Sequence, residues 1–192
     1  MKNYLNQLFT ALLAVVFGLS LSACSSDDDN KYQEPNILHT DLIVKANFSQ
    51  DLLDLMTPTL QSTVSDPTKL SSTTKMLNKT ENENTLTASA FPASYEAPIT
   101  MKIKTLPENL KSSYTLSYEI SYMLVAYKDN GSNEVITEPT NGKGGQLSVT
   151  FSSITKEGLQ QTLAQFKKSI EEECNVSIKN VQVKNGKIVY SK

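Results

Sequence analysis

The sequence predicts an α+β fold: a single, mostly antiparallel, sandwich-like domain with one C-terminal amphipathic helix followed by a β-hairpin. Three observations predict it. Apolar and polar residues alternate through Leu38–Phe48 and again through Tyr114–Leu124, the period of a strand with one buried face. Residues 155–173 instead repeat their apolar positions every three or four residues, the period of a helix. Asn185-Gly186 lies between two apolar-rich runs, and both residues tolerate the positive φ that a tight hairpin turn demands.

The elements follow in order. Leu38, Thr40, Leu42, Val44, Ala46 and Phe48 alternate with His39, Asp41, Lys45 and Asn47, with Ile43 the exception on the polar side. Ser49 is placed to cap a short helical turn, with Asp51 near its positive end. Leu52, Leu55 and Met56 share one face of that turn, and Pro58 is expected to end it. Thr59–Val64 reads as another strand. Ser65–Asn84 is rich in Ser, Thr, Asn and Lys and is expected to be a long mobile loop with a turn near Met76-Leu77. Strands resume at Thr85–Phe91 and Ile99–Thr105. The strongest strand is Tyr114–Tyr127, followed by a turn at Asp129-Asn130-Gly131 and a return strand at Val135–Thr137. Asn141–Gly145 is a glycine-rich turn leading to Leu147, Val149 and Phe151. In the helix, Leu159, Leu163, Phe166, Ile170 and Cys174 form one stripe, while Gln160, Gln161, Gln165, Lys167, Lys168 and Glu172 face water. No internal repeat is visible.

Composition narrows the function classes. Lysine supplies all 18 cationic side chains, against 20 acids, with no arginine and no tryptophan. A concentrated basic surface, which nucleic-acid binding needs, is missing, so no nucleic-acid partner is expected. Bidentate guanidinium clamps for phosphate or carboxylate are excluded. Cys24 and Cys174 are the two cysteines and His39 the one histidine, so a zinc site of His and Cys ligands is not expected, and no cofactor is expected.

The N-terminus carries the most specific signal. Lys2 is the lone charge before Asp27, and Leu12–Leu21 is an apolar run too short to span a bilayer as a helix. Leu21-Ser22-Ala23-Cys24 then resembles the lipobox of bacterial lipoproteins. The resemblance implies cleavage before Cys24 and a diacylglycerol on its thiol. The division expected is a signal peptide at 1–23, an acylated cysteine and flexible acidic tether at 24–36, and one globular domain at 37–192. Removing 23 of 192 residues leaves 169, enough for one domain with its own core. Cys24-Ser25-Ser26-Asp27-Asp28-Asp29-Asn30 is similar to the tether of surface lipoproteins from Bacteroidota. Ser26, Asp27, Asp28 and Asp29 are thereby implicated in export to the surface of the outer membrane; the alternative is a solvated spacer. This resemblance covers about the first thirty residues and speaks to address, not activity. It leaves Cys174 as the one free thiol of the mature chain, so no intramolecular disulfide forms.

Other features point away from chemistry. His39 lies in the polar register of the first strand, without a spaced Ser, Cys or carboxylate beside it, and reads as a surface histidine. Cys174, on the apolar stripe, reads as a buried inert thiol. Glu171-Glu172-Glu173 point about 100° apart on a helix and cannot converge on one ion, so a solvated helix end is expected, with Lys167/Glu171 and Lys168/Glu172 as surface pairs. Asn141-Gly142-Lys143-Gly144-Gly145 lacks the Gly-Lys-Ser/Thr ending of a phosphate loop. Tyr114, Tyr118 and Tyr122 share one strand face. They form either a candidate binding strip for glycan or protein, or part of a core with Leu116, Ile120 and Leu124, and the core is the stronger expectation.

Together these readings lead to an expected non-catalytic binding module, held on the membrane by its lipid and meeting a protein or glycan at the cell surface. A protease inhibitor or immunity-type protein of the envelope is the alternative. An enzyme is not expected, since no acid–base or nucleophile constellation is legible.

Overall fold

The computed structural model describes residues 34–137 and 144–191. Eleven strands and two helices are present among them. In chain order they are β1 (Ile37–Phe48), α1 (Gln50–Leu55), β2 (Met56–Asp66), β3 (Lys69–Met76), β4 (Glu81–Ala88), β5 (Ala93–Glu96), β6 (Ile99–Ile103), β7 (Ser113–Lys128), β8 (Asn133–Thr137), β9 (Gly145–Ser152), α2 (Lys156–Glu173), β10 (Ser177–Lys184) and β11 (Lys187–Ser191). All pairings are antiparallel. The expected class holds: a mostly antiparallel, sandwich-like α+β domain whose C-terminal helix precedes a hairpin.

The first sheet runs β4-β1-β7-β8, with β9 also on β7. Its centre is β7, which is long enough to pair β9 with its first half and β8 with its second. The alternation read from the sequence is the inner face of this sheet. Leu42, Val44, Ala46, Phe48, Tyr114, Leu116, Tyr118, Ile120, Tyr122 and Leu124 are all buried. Leu38 departs from the pattern and is exposed, because the register of β1 on β7 shifts between Ile37 and His39.

The second sheet runs β11-β10-β5-β2-β3, with β6 also on β2. Two bends shape it. β5 and β6 lie along the same side of β2, separated by Ala97-Pro98. In β10 the register shifts between Ile178 and Val181 at Asn180, whose φ is +53°. The bulge lets residues three apart turn inward together, and both Ile178 and Val181 are buried.

The helix α2 completes the second layer beside β6. Thr155 caps it, accepting the Gly158 N–H at 3.1 Å. The predicted stripe is the buried one: Leu159, Leu163, Phe166, Ile170 and Cys174 are each at most 2 % exposed. Burying it against the sheets supplies the main stabilisation of the helix, since propensity alone holds a helix of this length only marginally.

Several expectations are corrected. Residues 65–84 are not a mobile loop. They hold the end of β2, a two-residue turn at Pro67-Thr68, all of β3 and the start of β4. Pro58 does not end α1, which stops at Leu55; it sits inside β2. Its carbonyl accepts the Leu77 N–H at 3.0 Å, just past the end of β3, so its missing donor falls where ladder pairing is finished. β5, between Pro92 and Pro98, was not expected as a strand at all. The glycine-rich turn at Asn141–Gly145 lies mostly outside the described residues, as do Cys24, Ser26, Asp27, Asp28 and Asp29.

Candidate functional site

The tyrosine row faces inward, so it is not an exposed binding strip. Tyr114, Tyr118 and Tyr122 are 1 %, 4 % and 6 % exposed. A buried phenol needs a hydrogen-bond partner, and each has one. Tyr114 Oη accepts the Lys111 N–H at 3.1 Å. Tyr118 Oη lies 2.8 Å from Ser169 Oγ, and its ring meets Phe166 edge-on at 6.0 Å. Tyr122 Oη donates to the Cys174 carbonyl at 2.8 Å. Two of the three therefore clamp α2 to the first sheet. Burial raises the pKa of both Tyr118 and Tyr122.

The other singled-out side chains are structural. His39 is half-buried and stacks on Tyr127 with ring centres 4.5 Å apart. Cys174 is fully buried, and burial pushes its thiol up to about 11. A Cβ on Gly145 would stand 2.8 Å from Cys174 Sγ, so the close approach of β9 to the helix end needs glycine. Glu171 differs from the solvated end expected. Its carboxylate pairs with Lys167 and also accepts the Met101 N–H of β6 at 2.8 Å. Burial opposes ionisation of Glu171, but Lys167 and that N–H outweigh it and hold the pKa low. Glu171 thus covers part of an otherwise open strand edge.

A second carboxylate works the same way. Where β1 gives way to α1, the edge of β7 is satisfied by side chains. Ser49 Oγ accepts from Ser117 N–H at 2.9 Å and Asp51 Oδ2 from Thr115 N–H at 2.7 Å. Lys111 Nζ bridges Asp51 and Asp54 at 2.7 and 3.0 Å. Burial raises the Asp51 pKa, but the hydrogen bonds from Lys111 and Thr115 outweigh it and the net shift is downward. The two carboxylates raise Lys111 to about 12. Such exposed pairs contribute little stability; what they do is close an edge.

The edge at β3 is left open. All eight residues of β3 are exposed, including Leu70 at 74 % and Met76 at 58 %. β3 ends the second sheet and β4 ends the first, on the same side of the sandwich. Between them runs a cleft of about 310 Å³ lined by Ser62, Val64, Lys69, Ser71, Thr73 and residues 84–87 of β4. Lys75 Nζ reaches Asn84 Oδ1 across it, at 2.5 Å. Only the turn signal at Asp66-Pro67, with Asp first and Pro second, marked this hairpin in the sequence.

A larger concavity, about 680 Å³, lies on the outer face of the first sheet. Glu81, Asn47, Glu119 and Gln146 form a cross-strand row there. Among the described residues no group of three or more His, Cys, Asp or Glu is placed to hold a metal ion. No described helix is long and apolar enough to cross a membrane.

Fold and surface together define a two-sheet α+β domain in which the edge strand β3 is exposed along its whole length. Compared with family models, curated proteins and solved structures, the chain finds no significant match in any of the three.

Proposed function

We propose that this chain is a lipid-anchored, surface-displayed lipoprotein that acts as a non-catalytic binding module at the outer membrane. The anchor reading rests on the order of Lys2, the apolar run, Leu21-Ser22-Ala23 and Cys24. Burying acyl chains contributes about 0.8 kcal/mol per CH2, so two or more chains hold a domain on a membrane without a spanning helix. One observation carries the binding reading: β3 is exposed along its whole length at the edge of a sheet. Open edges are normally covered or kept short, because their backbone groups pair readily with another chain. A strand edge favours a docking module over an inhibitor, which would present a rigid protruding loop; residues 65–76 form a strand hairpin instead.

Metabolic labelling with a fatty-acid analogue tests the anchor. The wild type takes the label and Cys24→Ala does not. Equal labelling of the two would remove the lipid from this account.

A further inference from the structure

We propose that the free edge of β3 docks an extended segment of a partner protein whose side chains alternate between acidic and apolar; this deepens the binding-module reading and rests on it. The backbone sets the geometry. Leu77 N–H points to β2, donating to the Pro58 carbonyl. Ladder groups alternate along an antiparallel strand, so the N–H and C=O groups of residues 69, 71, 73 and 75 also face β2. Those of Leu70, Ser72, Thr74 and Met76 are left to the open edge, where an added strand completes them.

The side chains set the pattern. Lys69, Ser71 and Thr73 line the cleft toward β4, and Lys75 shares their face. Neither Lys69 nor Lys75 has a carboxylate within 4.0 Å among the described residues. Acidic side chains of an added strand would enter this cleft and meet both. Leu70 and Met76 stand exposed on the opposite face, with the small Ser72 and Thr74 between them. Apolar side chains of the added strand would pack beside them as cross-strand neighbours. A second copy of this chain fits poorly. Residues 69–76 contain no acid, so self-pairing would bring two lysines from each copy together. The acidic run Asp27–Asp29 has no apolar residue interleaved and lacks the pattern.

The test uses the full chain as isolated from its host, in detergent micelles. The probe is a fluorescein-tagged, end-blocked octapeptide alternating glutamate and valine, read by fluorescence anisotropy. A lysine–valine counterpart and an N-methylated glutamate–valine peptide, which cannot pair with a strand, are the controls. Saturable binding of the first peptide is expected, with both controls weaker by about tenfold or more. Lys69→Glu with Lys75→Glu should reverse the preference between the charged peptides. Thr74→Pro removes an outward N–H while sparing the β2 ladder, and should abolish binding at an unchanged melting temperature. Equal binding of the charged peptides, or undiminished binding of the N-methylated one, overturns the proposal without needing any variant to fold. So does a dimer in sedimentation that Thr74→Pro dissociates, which would assign the edge to a second copy. None of these readouts depends on the lipid: peptide binding with no label on Cys24 overturns the anchor alone, and label without peptide binding overturns the docking site alone.

Discussion

Phe166 shows what a single side chain does here. It is 2 % exposed and lies edge-on to Tyr118, in the middle of the stripe that seats α2. Truncation removes its contacts and leaves a cavity, so Phe166→Ala should cost about 3–5 kcal/mol. For a domain with stability of about 5–15 kcal/mol, that moves the urea midpoint far down. Cys174 reports on the same contact. Its thiol, fully buried and raised to about 11, should react slowly with a bulky reagent in the native protein and quickly in denaturant. Rapid native modification together with an unmoved Phe166→Ala midpoint would mean that the stripe does not seat the helix. At this scale the sequence was informative about which residues are buried, because a helical spacing of four, three, four and four leaves one face for Leu159 to Cys174. It was silent on what the tyrosine hydroxyls bond to. Ser169 and the Cys174 carbonyl lie 51 and 52 residues away along the chain, and no local pattern encodes such a meeting.

Among the elements, the legible ones bury a face and the illegible ones do not. β1 and β7 alternate because one side of each packs against the second layer. β3 buries nothing, so hydrophobic periodicity had nothing to mark, and its Ser and Thr residues read as loop. Its order comes from elsewhere. Ser62 and Thr73 hydroxyls meet at 2.7 Å and Thr63 and Ser72 at 3.0 Å across the ladder. β5 was hidden for another reason: it has four residues, between two prolines. The β2–β3 turn is organised by Asp66. Its Oδ1 accepts Thr68 Oγ1 at 2.6 Å, Thr68 N–H at 2.8 Å and Lys69 N–H at 3.0 Å. The Thr68 hydroxyl leads in holding its pKa down, to about 2 from an ordinary 3.8. A carboxyl with a depressed folded pKa contributes stability that is complete above its unfolded value and is lost as pH falls through the folded one. The turn's contribution should therefore fade between pH 3.8 and about 2. Asp66→Asn should flatten that part of the stability–pH curve and loosen hydrogen-exchange protection in β3 first. A curve in this range that is the same for both proteins would mean that the turn contributes nothing through its charge.

At the scale of the whole molecule, the domain and its N-terminal address make separate demands on the sequence. Residues 34–192 form one compact unit, and the fold class was readable from their periodicities. The exposed edge of β3 was not, because exposure of a strand depends on which strands end each sheet. The proposed localisation, by contrast, rests on the few residues around Cys24. Asp27, Asp28 and Asp29 put that address to the test. If they direct display, as their likeness to surface tethers implies, replacing all three with alanine should leave the protein lipidated but protected from protease added to intact cells. The domain's own stability should not change, since the run precedes the compact unit. A spacer would behave differently: a Ser-Ser-Ala-Ala-Ala tether is just as long, so accessibility would be unchanged. The design separates charge from length, and it separates both from the lipid, because fatty-acid labelling of the triple variant is measured in the same cells. Protection with label retained assigns the acidic run to export. Protection with label lost points to failed processing at Cys24 instead. Full accessibility with label retained reduces the run to a solvated linker, leaving the anchor and the β3 edge untouched.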